Sequence, residues 1–322
     1  MAPGKTRPIR CGESSGSGIV KDWERLVNTV TDVDVRWDVP ASRLNTFRVG
    51  GTVRCVARPR TEDSLKTLLK TLKAEGLPWT IVGNGSNVLF PDGAWDHMVI
   101  LLDRCATRLE YHRRDDRSGT LRVGSGLKLT HLLKLCIRHG WTGLEFLAGI
   151  PATVGGAVVM NAGTRDGAVG DVLERVRLLD ETLRERTVSR SELSMGYRSG
   201  GLPPGAVVLE ADFRVRLGLP RRIAGKVAGF LRERRQSQPA RWPSAGCVFK
   251  NPPGLSAGAL IDQAGFKGYR VGDAEVSPVH ANWIVNRGRA TRADVLEVIR
   301  TVRHGVRERF GVDLELEVRV LE

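Results

Sequence analysis

The chain reads Val82-Gly83-Asn84-Gly85-Ser86-Asn87-Val88 at the end of the strand-like run Trp79-Thr80-Ile81-Val82. A strand that runs into a glycine turn can converge several backbone N–H groups on a pyrophosphate. The turn resembles the opening of a GxGxxG fingerprint, but Val88 occupies the place of the third glycine, so a nicotinamide-binding Rossmann site is not expected. Taken alone, the stretch reads equally well as an ordinary glycine hairpin. A second glycine-dense stretch supports the first reading. Gly143-Leu144-Glu145-Phe146-Leu147-Ala148-Gly149-Ile150-Pro151-Ala152-Thr153-Val154-Gly155-Gly156-Ala157, followed by Met160-Asn161-Ala162-Gly163, sets glycine beside apolar residues, which lets a backbone lie against a flat ring system.

On either side of these stretches, short β-rich runs alternate with helical patterns. Leu65, Leu68, Leu69 and Leu72 recur at i, i+3, i+4, i+7 behind the polar start Thr61-Glu62-Asp63-Ser64 and predict one amphipathic helix. Leu129, Leu132, Leu133, Cys136 and Ile137 predict a second, which stops at Gly140. Strand-like runs at Val53–Ala57, Val207–Leu209 and Phe213–Val215 lead to Gly218-Leu219-Pro220, where a domain boundary is expected. Beyond it, a basic helix near 221–235 and a helix near 292–310 are predicted. Thr291 serves the latter as N-cap, and Val295, Leu296, Ile299, Val302, Val306 and Phe310 form its buried stripe. The run Leu314–Val320 predicts a terminal strand. Residues 1–25 read as a disordered tail, 26–217 as one domain of two α+β subdomains, and 218–322 as a smaller α+β domain.

At 322 residues the chain exceeds what one core usually supports, and 41% hydrophobic with 27% charged residues describes an ordinary globular protein. Glycine is enriched, at 37 residues. No apolar stretch approaches the ~18 residues that would span a bilayer. Lys5, Arg7 and Arg10 are followed by polar residues 11–18 where a secretory signal would be apolar, so export is not expected and a cytoplasmic location is. The five cysteines Cys11, Cys55, Cys105, Cys136 and Cys247 are scattered without a CxxC pair, and no HExxH spacing occurs, so neither disulfides nor a metal is expected. The net charge of +14 is compatible with nucleic acid, but no RNP motif, zinc finger or aromatic-basic platform accompanies it. It reads as arginine spread over a solvated surface.

Asn45-Thr46-Phe47, the GNGSN turn, Gly196-Tyr197-Arg198, Arg234-Arg235-Gln236-Ser237-Gln238-Pro239, Pro243-Ser244-Ala245-Gly246-Cys247-Val248-Phe249-Lys250-Asn251-Pro252, His280-Ala281-Asn282 and Glu317-Val318-Arg319 follow one another in order. In this order they resemble the UDP-N-acetylenolpyruvoylglucosamine reductase family over about residues 40–320, in its shorter form without an inserted tyrosine loop. The resemblance implies an α+β fold: an FAD-binding domain of the vanillyl-alcohol-oxidase (PCMH) type, plus a smaller α+β substrate-binding domain. It implies non-covalent FAD, NADPH as co-substrate, and reduction of UDP-N-acetylglucosamine enolpyruvate to UDP-N-acetylmuramate in peptidoglycan precursor synthesis. A monomer acting without nucleic acid or membrane is expected.

The resemblance also implies roles for residues. Thr46, Gly83, Asn84, Gly85, Ser86, Asn87, Val88, Gly149, Ile150, Pro151, Gly155, Gly156, Asn161 and Gly163 are expected to hold FAD. Arg198 is expected to stabilise charge on the substrate carboxylate, a task suited to a planar guanidinium, with Glu317 donating to the same charge. Cys247 stands where the family usually has serine and is expected to deliver the proton to carbon; by itself it would read as a small buried residue. Tyr197, Arg234, Gln238, Lys250, Asn251, His280 and Asn282 are expected around the substrate, although Arg234 reads equally as a solvated helix position and His280 as a structural histidine. Ala152, Gly200 and Thr164-Arg165-Asp166-Gly167 depart from the family pattern near the flavin. Another flavin oxidoreductase of the same superfamily would keep GNGSN without needing the YR, PSAGC and EVR segments.

Overall fold

A computed structural model describes residues 23–322. Of the tail expected over 1–25, residues 1–22 lie outside the described residues, and the last three instead open the helix Trp23–Asn28. Trp23, Leu26 and Val30 are buried together, and the Trp23 indole donates to Asp96 Oδ1 at 2.8 Å, so residues 23–25 belong to a packed helix.

The first sheet has the spatial order Val33–Pro40, Thr52–Pro59, Ala94–Ile100, Trp79–Ile81. Its first pair is antiparallel and the other two are parallel. The helix Glu62–Ala74 packs its four leucines against it, capped as the polar start foretold: Ser64 N donates to Thr61 Oγ1 at 3.0 Å and Thr61 N to Ser64 Oγ at 3.1 Å.

A second sheet is antiparallel, in the order Glu185–Ser189, Leu173–Leu179, Val207–Leu217, Ser118–Gly124, Leu109–Arg113. The helix Leu129–His139 covers it and ends at Gly140 in the left-handed region, at φ 74°. The helix Pro220–Ser237, expected to open the C-terminal domain, packs on Leu129–His139 and on the turn Glu145–Leu147 instead. Its apolar residue Val227 joins the core of this second sheet, so the helix packs with the unit that precedes it.

The third sheet, Ser244–Cys247, Trp283–Asn286, Ala274–Val276, Arg270–Val271, is antiparallel and covered by the helices Ala257–Gln263 and Arg292–Phe310. The last helix has its Thr291 cap, and its stripe is Val295, Val298, Ile299, Val302 and Val306; Leu296 and Phe310 are only partly buried. The chain then returns to the first unit. Only Arg319–Val320 of the expected terminal strand pairs, in parallel with Val88–Leu89, while Leu316 bridges to Phe249. Among the described residues, no helix is long and apolar enough to cross a membrane and no cluster of three or more His, Cys, Asp or Glu could hold a metal.

Candidate active site

The glycine turn after Trp79–Ile81 is held from two sides. Gly85 has φ 62°, and a Cβ there would sit 2.0 Å from Leu44 O, so only glycine fits. Thr46 N donates to Gly85 O at 3.1 Å and Thr46 Oγ1 to Ser244 O at 2.7 Å, tying the turn to the strand that carries Cys247. Asn84 Nδ2 donates to Pro151 O at 2.7 Å, so the two glycine-rich stretches face each other. Gly83 approaches Thr153, whose side chain caps the short helix Val154–Val159 containing Gly155 and Gly156. Ile150 packs at the edge of the second core, and Ser86 and Val88 lie in and just after the turn, half-buried.

These surfaces fit the expected FAD. Gly83 is exposed, and a Cβ there would lie 2.5 Å from Thr153 Oγ1, so its bareness keeps the gap between the stretches open. Beside Gly155, Ser125 Oγ is buried without a hydrogen-bond partner, an orphan that a bound polar group would satisfy. Ser125 was missed in the sequence, although Gly124-Ser125-Gly126 ending a strand is the same kind of signal as the turn that was read. Asn161 is held by backbone groups at both ends of its amide. Its Nδ2 donates to Gly196 O and its Oδ1 accepts from Gly170 N, both at 2.8 Å, so the amide braces the turn before Arg198.

Arg198 and Glu317 come together from distant stretches of chain, with Arg198 Nε 2.7 Å from Glu317 Oε1. Arg198 Nη1 also donates to Gly163 O at 3.3 Å. Glu317 is positioned by its backbone: its N–H donates to Val248 O at 2.8 Å, and its carbonyl accepts from Asn87 Nδ2 at 3.0 Å. Asn87 therefore links the glycine turn to Glu317, and Val248 links Glu317 to Cys247. Burial pushes the Glu317 carboxyl above the usual carboxylate range against the opposing pull of Arg198, and its Oε2 is buried and unpartnered. Burial, then the Glu317 charge, pushes the Cys247 thiol up to about 11, opposed by Arg198, Trp283 and Arg234. Burial, and then Arg198, lower the pKa of Arg234. The Arg234 side chain runs through the space left by Gly149, where a Cβ would lie 2.5 Å from its Cδ, and it is half-buried.

The remaining expected substrate residues divide. The Tyr197 ring lies under the Arg198 guanidinium at 5.3 Å, and its hydroxyl accepts from Asn251 N at 3.4 Å. Lys250 pairs with Glu315, and Asn251 Oδ1 accepts from Ala257 N at 3.0 Å. His280 Nδ1 accepts from Asn282 N at 3.3 Å, and burial lowers its pKa. Asn282 does not line a cleft: its amide accepts from Phe249 N at 3.0 Å and donates to Phe249 O at 2.8 Å, which fixes the segment after Cys247. Gln238 lines a cavity of about 420 Å³ with Trp242 and Val279. A second cavity, about 550 Å³, lies between Phe146 and Phe230; neither is lined by Arg198, Cys247 or Glu317.

The profile described as UDP-N-acetylenolpyruvoylglucosamine reductase, C-terminal domain, matches residues 238–321, and that of an FAD binding domain matches residues 53–185. The UDP-N-acetylenolpyruvoylglucosamine reductase of Syntrophobacter fumaroxidans is 42% identical over 95% of this chain and 89% of its own length. That of Moorella thermoacetica is 42% identical over 91% of this chain and 95% of its own. The crystal structure of UDP-N-acetylenolpyruvylglucosamine reductase from Thermus caldophilus superposes with a TM-score of 0.73 at 38% identity, covering 90% of this chain and 99% of that one. With relatives this similar over nearly its whole length, and the PSAGC and EVR segments meeting at one buried charge cluster, the chain belongs to the UDP-N-acetylenolpyruvoylglucosamine reductase family.

Proposed function

We propose that this chain reduces the enol ether of UDP-N-acetylglucosamine enolpyruvate with NADPH, and that Cys247, Arg198 and Glu317 carry the chemistry. The observation that carries this reading is the contact of Arg198 Nε with Glu317 Oε1 at 2.7 Å, in the same buried cluster as Cys247 and Arg234. FAD, when bound between the two glycine-rich stretches, supplies transfer of a hydride from NADPH to the enolpyruvyl methylene carbon. Gly83 to Val88 with Thr46, and Gly149 to Pro151 with Gly155, Gly156 and Gly163, would hold it, with Ser125 added.

As the methylene carbon gains a hydride, negative charge builds on the substrate carboxylate. Arg198 has guanidinium N–H groups beyond Nε with which to take that carboxylate in a charge-assisted fork. Glu317, whose carboxyl burial raises above the usual carboxylate range, offers in its protonated form its unpartnered Oε2 side as a hydrogen-bond donor to the same charge. Cys247, kept protonated by burial, transfers the proton from Sγ to the carbon beside the carboxylate. Arg234 offsets phosphate charge, and Tyr197, Gln238, Lys250, Asn251 and His280 stand around the sugar nucleotide. The working unit is a cytoplasmic monomer of an FAD-binding domain followed by a substrate-binding domain, acting without nucleic acid or membrane.

The experiment mixes purified protein with NADPH and the enolpyruvyl sugar nucleotide and follows NADPH oxidation together with formation of UDP-N-acetylmuramate. Cys247→Ala is expected to lower product formation about 10²-fold or more, the usual range for removing a positioned acid. A colourless protein would sink the flavoenzyme reading, and an undiminished Cys247→Ala variant would sink the acid.

A further inference from the structure

Trp283 stands opposite Cys247 in the antiparallel pairing of Ser244–Cys247 with Trp283–Asn286. Residues directly opposed in such a pair place their side chains on one face of the sheet. The Trp283 indole Nε1 is buried and has no hydrogen-bond acceptor, and Trp283 is among the neighbours that favour a thiolate at Cys247. A buried donor without an acceptor is costly in the resting protein, and a neutral thiol is a poor acceptor while a thiolate is a strong one. We propose that the Trp283 indole N–H is the donor that receives the negative charge left on Cys247 once its proton has moved to carbon. This rests on the reading of Cys247 as the acid.

The step balances. The S–H bond of Cys247 breaks and its electron pair stays on sulfur. A C–H bond forms at the carbon beside the substrate carboxylate, using the electron pair released there by hydride addition, and a proton from water later restores the thiol. Three charged groups face the sulfur from other elements. Glu317 opposes the thiolate, Arg198 and Arg234 favour it, and all three stay in place in Trp283→Phe. His280, whose ring centroid lies 6.3 Å from that of Trp283, is held toward its neutral form by burial.

The test is Trp283→Phe, which keeps an aromatic ring and removes only the donor. The first readout needs no turnover: the rate at which a small thiosulfonate reagent modifies Cys247 near pH 8, with Cys247→Ala as the blank for the other cysteines. Loss of a charge-assisted hydrogen bond raises a thiol pKa by about one unit, a tenfold loss of thiolate, and the higher nucleophilicity of the remaining thiolate leaves a fall of about threefold. In single turnovers, reoxidation of the reduced enzyme by the enolpyruvyl substrate is expected to slow about tenfold, while reduction by NADPH holds its rate. An unchanged modification rate overturns the inference whatever the activity does. Loss of activity in Trp283→Phe with full activity in Cys247→Ala overturns the acid instead. Should Trp283→Phe fold poorly, Cys247→Ala in a ¹⁵N-labelled protein must move one of the seven indole N–H resonances, and seven unmoved resonances overturn the inference as well.

Discussion

Arg198 has φ 56°, in the left-handed region that costs a residue other than glycine on the order of 1–3 kcal/mol, and its contacts with Gly163 O and Glu317 hold it there. Strain held at a charge cluster is consistent with a guanidinium aimed at a ligand. Arg198→Ala is therefore expected to slow flavin reoxidation by the enolpyruvyl substrate at least tenfold more than flavin reduction by NADPH, measured by stopped-flow as two separate half-reactions. Equal losses in both would contradict the carboxylate role. Three other residues show what a sequence does and does not disclose at this scale. Gly200 departs from the family pattern, and the structure supplies its reason: a Cβ there would sit 2.4 Å from Val158 O. Asn161 and Asn282 carry side chains able to bind ligands, and pattern alone cannot tell that backbone groups already occupy both ends of each amide. Nothing in the structure accounts for Ala152 in its place.

Periodicity disclosed most of the elements. The helix Glu62–Ala74 and the helix Leu129–His139 with its Gly140 stop follow from apolar spacing and capping chemistry, both of which are local. The errors fall where partners are distant. Leu296 and Val298 are both apolar, and which of them faces the core depends on where the third sheet sits. The basic helix Pro220–Ser237 gave no sign of which unit its apolar side would meet. The helix Arg292–Phe310 has a cap no local reading could supply. Besides Thr291, the carboxylate of Asp92 accepts from Arg292 N at 3.0 Å and from Ala293 N at 3.1 Å, reaching across from the first unit. Asp92→Ala leaves those two N–H groups at a positive helix terminus without their acceptor, a loss of about 1 kcal/mol. The expected outcome in calorimetry is a fall of about 2–4 °C in Tm. An unchanged Tm would show that water replaces the carboxylate at no cost.

Across the molecule, buried thiols set a direction for stability against pH. Burial raises Cys247 from 9.0 to about 11, and Cys55, Cys105 and Cys136 to about 12. Between pH 9 and these values the folded chain keeps protons that the unfolded chain has released. Their contribution is thus complete below pH 9 and is lost as pH rises through the folded values. For one such thiol the loss is about 1.4 kcal/mol per pH unit in that window. Denaturant titrations from pH 9 to 11 are expected to show a shallower decline in Cys247→Ala than in the parent chain, and parallel declines would contradict the burial of that thiol.

The parallel seam between Arg319–Val320 and Val88–Leu89 joins positions more than two hundred residues apart and leaves Glu317 only two residues upstream of its last strand. Asn87 of the turn donates to the Glu317 carbonyl, and the Glu317 N–H donates to Val248, so the backbone that carries this carboxyl is pinned from the first and third sheets at once. A shift of either sheet would therefore be felt as a displaced carboxyl before it was felt as a loss of fold.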